Sequence, residues 1–422
     1  MPFQKIKTPN FIDLFAGCGG LSLGLELAGF SPVYVNELDK HAMETYLVNR
    51  ESKYPHLRDN RFHSHDLTKH TNKRYLEKLK DDLKRELGIS EIDLICGGPP
   101  CQGYSGIGLR RSHTIEKEDV PSNHLFKSMV TFIKNIKPKI FLFENVEGLI
   151  RSRWTKEGEK GEIFKSVLTA FNSIPNYEVT WDLIYSKDYG VPQRRPRVFI
   201  VGIRKDKVST KLDNTKSAIS NKTLPEGNIA APSVEELLAD ILDENYQNGG
   251  ASLVYPHAIQ NKTQRFFRTL PDGSTLKKGS VLHEHEYSNH SQKVIERFAS
   301  IIKNQGKIDP KFKNKKFSQR LLPKLWNESG PNITITSMPD DYVHYSQPRS
   351  PTLRECARFQ TFPDWYKFVG KRTTGGKRRA GDPSANNFDR ELPKFTQIGN
   401  AVPVLLGKAI GMHFAKLLKD VN

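Results

Sequence analysis

Residues 11–37 read FIDLFAGCGGLSLGLELAGFSPVYVNE. FIDLF is a short apolar run of the kind a strand buried on both faces shows. Phe15-Ala16-Gly17-Cys18-Gly19-Gly20 follows as a glycine-rich turn, LSLGLELAGF carries the apolar spacing of a helix, and PVYVNE is a second strand. A strand that passes through a glycine turn into a helix and on to another strand is the opening unit of a parallel, doubly wound sheet. The alternation continues outward from it. HAMETYLVNR reads as a helix, IDLICGG as a strand, LFKSMVTFIKNI as a helix, and KIFLFENV and RVFIVGI as strands. The fold class is therefore α/β, with a doubly wound, mostly parallel sheet.

In such sheets ligands gather beyond the carboxyl ends of the strands, so the residues there carry the chemistry. The glycine turn ends the first strand, and Glu37 ends the second, roughly twenty residues after the first glycine, where an acid can accept both hydroxyls of a ribose. The turn reads GxGG and not GxGxxG, so the pyrophosphate fingerprint of a nicotinamide enzyme is missing. His65-Asp66-Leu67 occupies the third strand position. There Asp66 is a candidate acceptor for an adenine amino group, with Leu67 against the ring; an ordinary strand-end acid is the alternative. Gly97-Gly98-Pro99-Pro100-Cys101-Gln102 ends the fourth strand. Two prolines stiffen the approach to Cys101, and the run from Gly103 to about Ser122 is rich in glycine and basic residues, a composition suited to closing over a substrate. A lone cysteine is commonly a small buried hydrophobe, but its place between a Pro-Pro turn and that run favours a reactive thiol. Glu144, after four apolar residues of the next strand, is costly to bury unless paired or functional, and is a candidate for proton work. Gln193-Arg194-Arg195-Pro196-Arg197 sets closely spaced guanidinium groups beside a strand, suited to gripping phosphate or a carbonyl oxygen.

Bulk properties bound the class. The chain has 422 residues and a formal net charge of +18, an excess of Lys and Arg that points to a polyanionic partner. Its four cysteines, Cys18, Cys96, Cys101 and Cys356, form neither a CxxC pair nor a disulfide framework, which suits a reducing cytosol. No signal-peptide pattern opens the chain and no apolar stretch approaches the roughly 18 residues of a membrane span, so the expectation is a soluble cytoplasmic protein without membrane association. Three parts are expected: residues 1–204, a polar, basic and weakly periodic stretch at 205–345, and an ordered return at 346–422 that completes the first part. The return contains LRECARFQ, the helical QIGNAVPVLLGKAIGMHFAKLL and, between them, a Gly-rich basic insertion at 370–391, either phosphate-contacting or a solvated linker. His283, His285 and His290 lie too irregularly for a helix-borne ligand set, and no metal is expected.

Taken together these segments resemble the DNA cytosine-5 methyltransferase family, in its bacterial restriction–modification type. DLFAGCGG resembles the first family motif, NELDKHAMETY the second, GGPPCQGYS the catalytic fourth, ENV the sixth, QRRPR the eighth, RSPTLRECARFQTFPDW the ninth and QIGNAVP the tenth, in that order. The resemblance implies a Rossmann-like fold with S-adenosyl-L-methionine as cofactor and a target-recognition domain at 205–345. It implies Cys101 as nucleophile, Glu144 on the cytosine N3 and amine, and Arg195 and Arg197 holding the base carbonyl and organising the Cys101 site. Phe15, Gly17, Gly19, Gly20, Glu37, Leu38, Asp66, Leu67, Pro100, Asn400 and Val402 would line the cofactor site. The family often has Trp at the Leu38 position. Gln102, Ser105, Arg110 and Arg111 would face DNA and the target base.

The partner implied is double-stranded DNA, flipped open at the target cytosine. The chain is expected to act as a monomer in a bacterial cytoplasm, on the nucleoid. A cognate restriction endonuclease would share its site without a stable complex. An RNA-acting branch and a catalytically silent relative stand beside this reading. The long region before the ninth motif favours DNA, and the intact Pro-Pro-Cys and ENV favour catalysis.

Overall fold

Seven strands make one sheet: β1 (Asn10–Leu14), β2 (Ser31–Asn36), β3 (His63–Ser64), β4 (Leu94–Gly97), β5 (Ile140–Val146), β6 (Tyr177–Tyr185) and β7 (Pro196–Arg204). The computed structural model describes residues 3–100, 116–207, 223–312, 319–375, 378 and 391–419. The spatial order is β3-β2-β1-β4-β5-β7-β6. The first five strands are parallel, and β7 runs antiparallel between β5 and β6. Strand order reverses between β1 and β4, which opens a crevice at the carboxyl edge.

Strand periodicity explains why both faces are covered. Successive side chains point to opposite faces, so Phe141 and Phe143 of β5 and Val198 and Ile200 of β7 join one cluster, while Ile140, Leu142, Phe199 and Val201 join another. The first face is closed by α3 (Lys73–Asp82), α4 (Leu125–Ile136) and α5 (Glu162–Asn172). The second is closed by α1 (Gly20–Leu27) and the last helix, Val404–Lys419. These two helices come together because glycines face each other. A side chain at Gly24 would collide with the Val404 carbonyl, and one at Gly407 would stand 2.9 Å from the Leu21 carbonyl. α2 (Lys40–Val48) lies over the β2 side with Met43, Tyr46 and Leu47.

The stretch from 223 to 345 is, as its weak periodicity suggests, poor in regular structure. Its described elements are α6 (Val234–Leu238), α7 (Lys262–Arg268), α8 (Gln292–Lys303) and a two-stranded pair, β8 (Arg320–Leu321) with β9 (Tyr342–Val343). Its apolar residues Leu237, Leu238, Ile241, Tyr255 and Phe267 share one cluster with Leu353, Phe359, Phe362 and Tyr366. The seam runs along α9 (Leu353–Phe359) and carries buried charge. Arg358 pairs with Asp240 and, at 2.6 Å, with Asp364; Asp364 also accepts from the Tyr255 hydroxyl at 2.7 Å. His285 belongs to this seam, its nitrogens engaged by Thr352 Oγ1 and the Ile241 carbonyl at 2.9 Å each. The chain then continues through α10 (Lys394–Asn400) and α11 (Val404–Lys419).

Three details differ from the sequence reading. β6 was not apparent as a strand, because it forms the sheet edge and its alternation is blurred by half-exposed and exposed residues. The third strand stops at Ser64, so Asp66 lies beyond it and caps the 3-10 turn Leu67–His70 by accepting from Thr68 N. The expected single C-terminal helix is two, broken at residues 401–403, where Pro403 cannot continue the first. No single described helix is long and apolar enough to cross a membrane.

Candidate active site

The sheet register decides which residues meet. Leu14 pairs with Asn36 on one side and Gly97 on the other, and Gly97 pairs with Phe143. The next residue of each strand, Phe15, Glu37, Gly98 and Glu144, therefore forms a row at the carboxyl edge. β7 adds to it for the opposite reason: an antiparallel strand begins where its neighbours end. Arg197, its second residue, stands opposite Val146.

At the β1–β2 end the turn takes an unusual backbone. Phe15, Gly17 and Gly19 all have positive φ, at 57°, 56° and 83°. Gly17 has nothing within 4 Å of where a Cβ would stand, so the turn leaves open space there. Glu37 is buried beneath it. Its Oε2 accepts from Gly17 N and its Oε1 from Asp39 N, both at 2.8 Å. Burial pushes its pKa up to about 7 against those two hydrogen bonds, with the nearby Asp39 and Asp13 carboxylates adding to the rise. Each oxygen keeps a further acceptor site free of these bonds. Leu38 beside it is 69% exposed. Pro100 and Asn400 are exposed as well, while Val402 is buried under Gly20. Leu67 is only 2% exposed and belongs to the core, which leaves little side chain for any ligand. Asp66 is more open; burial works to raise its pKa, but Thr68 and Lys69 hold it below the ordinary value.

At the β4–β5–β7 end the arrangement is ionic. Glu144 Oε1 lies 2.7 Å from Arg197 Nε, with the Arg197 side chain 9% and the Glu144 side chain 12% exposed. Burial raises the Glu144 pKa although Arg197 and Arg195 pull it down. Gly98 lies close opposite it: a Cβ there would stand 2.6 Å from Glu144 Oε2 and displace that carboxyl. Asn145 Nδ2 donates to the Pro99 carbonyl at 3.2 Å and so ties the Pro-Pro turn to β5.

The two arginines of QRRPR do different things. Arg195 is 1% exposed, and its guanidinium donates to the Ile335 carbonyl at 3.1 Å and the Gly399 carbonyl at 2.6 Å. Burial and the Arg197 charge push its pKa down. It is a brace between strand, small region and α10, so the sequence expectation that it touches the base meets a guanidinium already committed elsewhere. Gln193 braces in the same way, accepting from Ile335 N and donating to the Phe359 carbonyl. Arg197 alone keeps a place in the row. Asn145 and Gln193 sit inside motifs that the sequence singles out, but their partners lie in other strands and segments and left no local signal. Cys101, Gln102, Ser105, Arg110 and Arg111 lie outside the described residues, as does most of the 370–391 insertion.

A family model for C-5 cytosine-specific DNA methylases matches residues 9–416. The Type II methyltransferase M.DdeI of Desulfomicrobium norvegicum is 31% identical over 428 residues, which cover 98% of this chain and 90% of the relative. M1.HphI of Haemophilus parahaemolyticus, also a Type II methyltransferase, is 30% identical over 97% of this chain and 87% of its own. A solved structure from E. coli, described as a prophage-encoded DNA modification methyltransferase, superposes with a TM-score of 0.66 at 23% identity, covering 97% of this chain and 99% of that one.

Proposed function

The chain belongs to the C-5 cytosine-specific DNA methylase family, and from that premise we propose how its own residues divide the work of methylating a cytosine in duplex DNA. It is a DNA (cytosine-5) methyltransferase on the S-adenosylmethionine-dependent methyltransferase fold. The observation that carries the assignment of roles is the Glu144–Arg197 pair, set against Gly98 three residues before Cys101.

The open space at Gly17, the buried Glu37 carboxylate and the exposed Leu38 fit a nucleoside ligand. Glu37 would accept the ribose hydroxyls, Leu38 would lie against adenine with Asp66 near its amine, and Phe15, Gly19, Gly20, Pro100, Asn400 and Val402 would complete the wall. When bound, S-adenosyl-L-methionine supplies an electrophilic methyl group on a sulfonium. The chain's residues then have to make cytosine C5 nucleophilic, which it is not unaided.

Cys101 is the proposed nucleophile. A free thiol has a pKa near ~8.5, so nearby guanidinium groups are needed to raise its thiolate fraction. Addition of the thiolate at C6 places electron density on C5. C5 takes the methyl group, its proton leaves, and elimination of Cys101 restores the ring. Glu144 is suited to assist because burial shifts its pKa upward against the pull of Arg197 and Arg195, the direction a proton donor needs. A proton offered to N3 draws charge away from C6 as the bond forms. Arg197 keeps the carboxyl in place through Nε and donates Nη1 to the Pro196 carbonyl at 2.8 Å, so Nη2 is the group that would reach the base carbonyl. The target atom is inaccessible inside a duplex, so the base must swing out.

Residues 205–345 are assigned to target recognition, read from the major groove. The Type II relatives support a protective role beside a restriction endonuclease; action as a monomer in the bacterial cytoplasm is part of the proposal. The test is a duplex carrying 5-fluorocytosine, incubated with cofactor and followed by mass spectrometry. A covalent adduct on Cys101, absent in Cys101→Ser, is expected. An adduct on another residue, or transfer of labelled methyl to tRNA alone, would reject the assignment.

A further inference from the structure

The glycine turn is held from behind by two side chains that the motifs do not contain, Arg50 and Tyr366. Arg50 is 1% exposed, two residues beyond the end of α2. Its Nη2 donates to the Gly19 carbonyl at 3.2 Å, its Nη1 to the Tyr46 carbonyl at 2.9 Å and to the Tyr366 hydroxyl at 3.0 Å, and its Nε to Glu26 Oε1 at 2.7 Å. The guanidinium lies 3.8 Å from the centre of the Tyr46 ring. Tyr366, 0% exposed, passes the contact on: its hydroxyl donates to the Cys18 carbonyl at 2.5 Å. Two consecutive carbonyls of the turn are thus gripped from the protein side, by one residue after α2 and one from the C-terminal return.

The grip also requires the glycine. A Cβ on Gly19 would stand 2.8 Å from Arg50 Nη1 and from Tyr46 Cδ2. A turn with three positive-φ residues in five is not one that a free chain favours, and its glycines add freedom that must be lost on ordering. Carbonyls held inward also fix the two peptide planes before any ligand arrives, and the Gly19 amide of the first plane closes the turn by donating to the Ala16 carbonyl at 3.0 Å.

We propose that Arg50 and Tyr366 are positioning residues for the methyl-donor site, holding the Cys18 and Gly19 carbonyls so that the glycine turn is pre-formed. The inference rests on the reading of that turn as the cofactor site. Neither residue touches the ligand; both lower the ordering cost of binding. Arg50 polarises the Tyr366 hydroxyl, so the two act as one unit.

Isothermal titration of the full chain with S-adenosylhomocysteine tests this, using Tyr366→Phe, Arg50→Lys and, as reference, Glu37→Ala. Tyr366→Phe and Arg50→Lys are each expected to weaken binding about tenfold, the scale of one lost hydrogen bond and its neighbour. Stoichiometry should stay constant, and KM for DNA should stay within about twofold at saturating cofactor. A purely structural role would instead lower the binding-competent fraction and leave the affinity of the remainder unchanged, which overturns the proposal. If Glu37→Ala loses binding while the other two keep it, the proposal fails and the cofactor reading survives. If Glu37→Ala also binds normally, both fall. Hydrogen exchange on the unaltered protein needs no variant. Amides of residues 16–23 should already be protected without ligand; rapid exchange there, slowed only by S-adenosylhomocysteine, would also overturn it.

Discussion

Two glutamates stand one in each half of the carboxyl-edge row, and they are stabilised by different means. Glu37 is buried with two backbone N–H donors and, among the described residues, no cation paired with it. Glu144 is buried with a guanidinium 2.7 Å away. Burial raises both pKa values. The hydrogen bonds at Glu37 are fixed by the turn and the start of α2, so its carboxyl is a rigid acceptor awaiting donors. The ion pair at Glu144 is a contact between side chains, which can rearrange when a third group arrives. A rigid acceptor suits recognition of hydroxyls, whereas an adjustable acid suits proton exchange with a base.

The sharpest way to break this contrast is Glu144→Gln. It keeps shape but cannot offer a carboxylic proton, and kcat is expected to fall by about 10²–10³ with S-adenosylhomocysteine affinity unchanged. A drop in affinity instead of rate, seen by single-turnover methylation alongside calorimetry, would mean that the two ends of the row are not separate.

A smaller effect concerns pH at Glu37. Its folded pKa, near 7, lies above the ordinary value of 4.5. Below that ordinary value the ligand-free protein has the full stability associated with a neutral, buried carboxyl. It loses this contribution as pH rises from 4.5 through about 7, because in that window the folded state holds a proton that the unfolded state has released. Ribose hydroxyls donate best to the ionised form. Affinity for S-adenosylhomocysteine should therefore rise about tenfold between about pH 6 and about pH 8, with proton release on binding. In Glu37→Gln binding should be weak and flat with pH; a retained slope would assign the titration to another group, with Asp13, pushed up to about 6 by burial, the nearest candidate.

The smallest effect is expected at Asn145→Ala. Loss of its bond to the Pro99 carbonyl should slow kcat by about threefold to tenfold, the net worth of one hydrogen bond. Affinity for the cofactor product should not move. Equal losses in both would show that the Pro-Pro turn serves the cofactor side of the row as much as the base side.

How much of this was legible beforehand follows from where each signal resides. Four of the five parallel strands, β1, β2, β4 and β5, could be read from apolar runs and glycine punctuation, because those patterns are local; β3 is only His63–Ser64, too short to carry a pattern, and precedes the His65-Asp66-Leu67 run read in its place. Glu37 and Glu144 could be picked out because a strand end is recognisable in one dimension. The division of labour between Arg195 and Arg197 could not be read. They are two residues apart, on one strand end, and alike in type. Only folding sends the Arg195 guanidinium to Ile335 and Gly399 and leaves Arg197 beside Glu144. Arg50 and Tyr366 gave no hint either, since their shared target lies more than 30 residues from one and more than 340 from the other.

The amino-acid sequence by itself determined the sheet type, the glycine turn, the acids at the strand ends and the family. Each of these depends on residue type and spacing along a short segment, where backbone propensity and burial period act directly. Tertiary structure alone decided the register that sets Phe15, Glu37, Gly98 and Glu144 in one row. It also decided the reversal of β7 that brings Arg197 to them, and which buried arginines brace and which face the cleft. Those outcomes depend on the free energy of groups distant in the chain sharing one desolvated space, and that quantity exists only once the chain has closed on itself.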